Sequence, residues 1–107
     1  MNTLNTNPLQ RYDAFVAIGS AGSVQDVDFL MAALVREDDF ATSRLVDFAL
    51  GLVESREGKE RIRYYLFNGV QPQRNYAALY FKRRGWTDLL DEAVRQEKID
   101  HLQAYLE

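Results

Sequence analysis

The sequence predicts an all-α fold of about six to seven short helices, and three observations carry that prediction. Apolar residues recur at helical spacing, most cleanly in the set Val27, Leu30, Met31 and Leu34. Helix starts and stops alternate along the chain, from Pro8 and Ser23 to Gly69 and Gly85. No run of alternating β-branched residues lies between turn signals, so strands are not expected.

Taken in order, residues 1–7 are Asn- and Thr-rich, lack periodicity and read as a mobile polar tail. Pro8 suits the first turn of a helix running to about Ala17, because its missing N–H would be unpaired there anyway. Gly19-Ser20-Ala21-Gly22 is expected to break that helix, and Ser23 with Asp26 three residues on resembles a capping box for the second. The acidic run Glu37-Asp38-Asp39 suits the N-terminus of a third helix, Phe40 to about Glu54, where unpaired N–H groups favour negative charge. Its expected buried stripe is Leu45, Phe48, Ala49, Leu52 and Val53.

A fourth helix is expected from about Gly58 to Asn68, with Ile62, Tyr65 and Leu66 inward and Gly69 as a left-handed stop. Pro72 opens the fifth helix and Gly85 ends it. On a 100° wheel, Ala77, Ala78 and Phe81 fall on one side and Tyr76, Leu79 and Tyr80 on another, leaving only Asn75 and Lys82 as a polar sector. A helix so broadly apolar is expected to pack between neighbours. Thr87 is the expected N-cap of a sixth helix with Leu89, Leu90, Ala93 and Val94 inward. A short last element, about Ile99 to Leu106, offers Ile99, Leu102, Tyr105 and Leu106 for docking.

With 107 residues, 47% of them apolar, the chain predicts a single domain over residues 8–107 with one core. There is no cysteine, which excludes disulfides, thiolate nucleophiles and thiolate-held metals. A reducing, cytoplasmic setting fits. MNTLNTNPLQ has neither a basic nor an apolar leader region, and no apolar run approaches the roughly 20 residues needed to cross a bilayer.

The fifth helix carries a resemblance to a known family. Arg74, Ala77-Ala78, Phe81, Arg83 and Gly85 resemble the second helix of a HEAT-like repeat. An echo stands about 30 residues earlier in Arg44, Phe48-Ala49-Leu50 and Gly51, an interval similar to the short units of phycobilin lyase relatives. The resemblance spans residues 24 to 106 and implies helix pairs stacked in a short right-handed array with an inner binding face. A compact helical bundle without a repeat relation is the alternative.

Net charge is −3, but residues 56–84 hold eight basic side chains against two acids, a balance of +6. Within this belt Arg61, Arg63, Lys82, Arg83 and Arg84 could contact phosphates, and Tyr64, Tyr76 and Tyr80 could stack on bases or pack against a partner. The competing reading makes the tyrosines core and the basic residues complements of helix C-termini. Arg74 is expected to make a structural ion pair, with Asp47 as a candidate carboxylate.

Catalytic and metal chemistry find little support. His101 is the only histidine, GSAGS does not match a nucleophile turn, and Asp88, Asp91 and Glu92 with Arg95 read as a solvated helix face. No cofactor is expected. Two readings remain: a non-enzymatic interaction or scaffold module whose partner is another protein, and a nucleic-acid-binding module using the basic belt. A homodimer is possible, because an uncapped helical array leaves one face unsatisfied.

Overall fold

Seven α-helices run through the described part of a computed structural model of the protein, which covers residues 8–37 and 39–105, and no strand occurs among the described residues. The fold class is all-α, as the sequence predicts. The mobile tail expected at residues 1–7 lies outside the described residues, as does Leu106. The helices are α1 (Pro8–Ala21), α2 (Val24–Arg36), α3 (Phe40–Gly51), α4 (Arg56–Asn68), α5 (Gln71–Arg83), α6 (Thr87–Arg95) and α7 (His101–Tyr105). They form two compact units, one up to Gly58 and one from Lys59, so that the boundary falls in the first turn of α4.

In the first unit α3 packs against α1 and α2, and α1 packs against α2. The capping box at Ser23 forms as expected: its hydroxyl accepts the Asp26 N–H (3.1 Å) and Asp26 accepts the Ser23 N–H (3.0 Å). The anticipated face of α2 is buried, with Val27, Leu30, Met31 and Leu34 in the core.

The first helix does not break at Gly19 but runs on to Ala21. Gly19 serves a close approach. A Cβ there would stand 2.2 Å from the carbonyl oxygen of Ala49 on α3. The stop comes at Gly22, whose φ of +61° is the left-handed geometry glycine tolerates, and whose N–H closes on the Ile18 carbonyl (3.0 Å).

That approach fixes the roll of α3 and corrects its expected stripe. The buried positions are Thr42, Val46, Ala49 and Leu50, followed by Val53. Phe48 is instead 44% exposed and stacks on Tyr12 of α1 (5.5 Å between centroids). Because Ala49 must lie against the bare backbone of Gly19, the bulkier Phe48 is turned outward. The helix also ends at Gly51, ahead of the expected Glu54.

Asp39 caps α3, accepting the Thr42 N–H (2.6 Å) and hydroxyl (3.0 Å). Thr42 is fully buried, and Arg11 of α1 reaches it while bridging to Glu37 (3.0 Å). Ser55 then caps α4 two residues earlier than expected: its hydroxyl accepts the Gly58 N–H (3.0 Å) and donates to the Gly22 carbonyl (2.6 Å).

In the second unit α5 packs against α6 and α7, which also pack against each other. Ala77, Ala78, Tyr80 and Phe81 of α5 are buried, so both of its apolar sides contribute. Ile62 and Leu66 of α4 are buried, whereas Tyr65 is only partly so. Gly69 is not left-handed; a Cβ on it would crowd the Tyr65 carbonyl (2.7 Å) and Gln73 (2.8 Å). Trp86, not Thr87, occupies the N-cap of α6. Of the residues expected to dock the last helix, Ile99 is buried while Leu102 is 62% exposed; Ala104 supplies the inward contact instead.

Three predictions test these assignments. Gly19→Ala drives a methyl into backbone and lowers unfolding free energy by about 1–3 kcal/mol in urea titrations. Gly51→Ala, in open helical space, raises it by about 0.4–1 kcal/mol. The Thr42 N–H, followed by its hydroxyl and by Arg11, holds the Asp39 carboxyl below its ordinary 3.8. A depressed folded pKa gives stability that is complete above 3.8 and is lost as pH falls through the lower folded value. The stability gap between wild type and Asp39→Asn therefore closes on acidification, and a gap independent of pH would refute the charge assignment.

Candidate interaction surface

The second unit carries an open groove of ≈ 570 Å³. Lys59, Glu60 and Arg63 of α4 line one side, and Thr87, Asp88, Leu89 and Glu92 of α6 the other, with Gly85 and Trp86 in the turn between α5 and α6.

The turn at Gly85 places the tryptophan. Gly85 has φ +73°, its N–H bonds the Lys82 carbonyl (3.1 Å), and the Trp86 N–H reaches back to Phe81 (3.1 Å). This is a Schellman stop, whose apolar contact is the Trp86 ring on Phe81, 5.0 Å between centroids. Phe81 is fully buried, so the turn is anchored in the core while Trp86 remains 41% exposed. The same turn recurs after α6, where Glu97 takes φ +60° and the Lys98 N–H reaches Ala93 (2.9 Å).

Charge in the groove is mixed, with two cations against three carboxylates. Arg63 pairs with Glu60 along α4 at 3.9 Å. Glu92 is held below its ordinary pKa by Gln96 (2.7 Å) and then by Arg95, both on its own helix or the turn after it. Tyr105 donates its hydroxyl to Asp91, which raises the phenol's pKa and ties α7 to α6. Among the described residues no group of three or more carboxylates and histidines could hold a metal ion. His101 is exposed, its ring edge-on to Tyr105 (4.7 Å).

Of the belt residues the sequence singles out, only Arg63 lines this groove. Arg61 lies over the rings of Tyr64 (4.4 Å) and Tyr65 (5.5 Å). Arg84 lies over Tyr80 (3.8 Å), and Tyr80 itself is 2% exposed and edge-on to Phe81. Tyr76 and Lys82 are partly exposed on α5, and Arg83 is exposed. Arg74 donates to main-chain carbonyls, to Lys98 through Nε (2.8 Å) and to Gly69 through Nη1 (2.7 Å), where a carboxylate partner was expected. Trp86, Lys59, Asp88, Leu89 and Glu92 were not singled out as a binding site from sequence; the available signal was a lone tryptophan directly after a glycine stop.

No membrane-spanning candidate occurs among the described residues: no helix is long and apolar enough to cross a bilayer. Comparison with known proteins gives no match to any family model, curated protein or solved structure.

Arg74 has a structural task, since its guanidinium holds the start of α5 to the turn before α7. Arg74→Met removes both charge-assisted bonds and lowers unfolding free energy by about 2–3 kcal/mol in urea titrations.

Proposed function

We propose that the chain is a non-enzymatic protein-interaction module, a short stack of helix pairs of HEAT-like kind that receives its partner on the groove around Trp86. The observation that carries this reading is a core-anchored tryptophan left 41% exposed in an open groove between charged helices. Tryptophan is enriched among residues that dominate binding energy, because it presents a large rigid area at low entropic cost. Mixed charge at its margin favours orientation and selectivity over bulk attraction.

The alternative, a nucleic-acid-binding module, asks for a continuous positive face. Glu60 stands between Lys59 and Arg63, and Asp88 and Glu92 line the opposite wall, which speaks against that reading for this groove.

The test is affinity capture with the intact chain from nuclease-treated extract of its native host. Specific partners survive nuclease and are lost, by about tenfold or more, with Trp86→Ala and with the surface pair Asp88→Lys and Glu92→Lys. Retention by both variants would overturn the groove as the binding face. Capture that requires nucleic acid, falls steeply with salt and disappears with Arg83→Glu plus Arg84→Glu would replace this reading with the alternative.

A further inference from the structure

The charges of the groove are arranged so that the surface complements itself. Lys59 and Arg63 stand four residues apart on α4, and Asp88 and Glu92 stand four residues apart on α6. Four residues make about 6 Å along a helix axis and keep both side chains on one face. A cationic pair, with Glu60 between its members and paired to Arg63, and an anionic pair of the same spacing thus flank the same apolar centre, Trp86 and Leu89, so that one wall is net positive and the other net negative.

A two-fold axis running along the groove, between α4 and α6, brings the cationic pair of one copy opposite the anionic pair of the other, and the reverse, in one operation. Trp86 of each copy then meets the apolar floor of its mate. From this pattern we infer that the groove's occupant is a second copy of this chain, forming a two-fold dimer through α4 and α6. This inference rests on the groove being the binding face and specifies what binds there.

The helix-local pairs Arg63–Glu60 and Glu92–Arg95 do not oppose dimer formation. Both lie at solvent-exposed side chains, where ion pairs are weak and exchange readily for better partners. A modest patch with charged margins belongs to the weak, transient class, so the dimer forms in roughly the micromolar range and loosens as salt screens the two charge pairs.

Trp86 is the only tryptophan of the chain, so its fluorescence reads the interface directly. On raising the concentration of the intact protein from about 0.1 to 100 μM, its emission shifts to the blue as sedimentation equilibrium records doubling of the mass. Lys59→Glu with Arg63→Glu weakens the dimer by about tenfold or more, as does Asp88→Lys with Glu92→Lys, each with wild-type helical content. Mixing the two variants in equal amounts restores dimerisation and the blue shift, because each then supplies the charge the other lacks.

A monomer at every concentration overturns the inference, and so does a dimer that both variants leave intact or a mixture that fails to recover. If the chain stays monomeric while Trp86→Ala still abolishes capture of a different protein, the interaction reading stands and the self-association falls.

Discussion

The first unit depends on one close approach, the backbone of α1 at Gly19 against the backbone of α3 at Ala49. No side chain fits between them, since even a methyl on Gly19 would lie 2.2 Å from the Ala49 oxygen. Once that contact is made, the roll of α3 is set. Val46, Ala49, Leu50 and Val53 turn inward, and Phe48 turns out to stack on Tyr12. Burying a residue of this size stabilises by about 1.5–3 kcal/mol, so leaving Phe48 half outside is a real concession to the contact. The same economy of space recurs where α4 begins: a Cβ on Gly58 would strike the Gly22 carbonyl at 2.4 Å, and the Ser55 hydroxyl fills the remaining polar need by bonding Gly22 and Gly58 together.

The second unit is organised by its helix stops. The turns after α5 and α6 share one hydrogen-bond pattern, yet one uses glycine at the left-handed residue and the other uses Glu97. A non-glycine residue in that conformation costs about 1 kcal/mol or more, which places strain in the turn just before Lys98. The Lys98 carbonyl accepts from Arg74, so the strained turn is held by α5, the helix that packs on both α6 and α7. The stop at Gly85 differs in consequence: its apolar contact is made by Trp86, and the residue that seals the turn against Phe81 is also the residue left at the surface.

Much of this was legible in the sequence where the cause is local. The Ser23 capping box, the acidic cap of α3, the α2 face and the glycine stop at Gly85 each need residues within one or two turns of each other. Gly19, Gly58 and Gly69 were read as breakers, starts or dihedral stops, because glycine in a sequence advertises conformational freedom. Their role is distance, and the atom that would clash with Gly19 belongs to a residue thirty positions away. The roll of α3 was missed for the same reason: apolar size favours burying Phe48, whereas the packing is decided by where a side chain is lacking. In the candidate site, the cluster was read from density of basic and aromatic residues, while the groove joins one of those residues, Arg63 of α4, to Asp88 and Glu92 of α6, which looked like an ordinary solvated face.

A sequence rich in Arg and Tyr invites a nucleic-acid reading because both residue types can serve phosphates and bases. The fold puts these same affinities to work inside the chain. Arg61 covers the exposed Tyr64, a contact contributing about 0.5–1 kcal/mol, and Arg84 covers the buried Tyr80. A base that stacked on Tyr64 would have to displace a cation already seated there, so its net gain would be the difference between two similar contacts, and Tyr80 offers a base no accessible face. Trp86 stands in another position. Its partner Phe81 lies beneath it in the core, and the accessible part of the indole opens onto the groove, where newly buried apolar area adds to what the fold already has. That asymmetry makes Trp86, and not the arginine-tyrosine belt, the residue from which recognition by this chain is best argued.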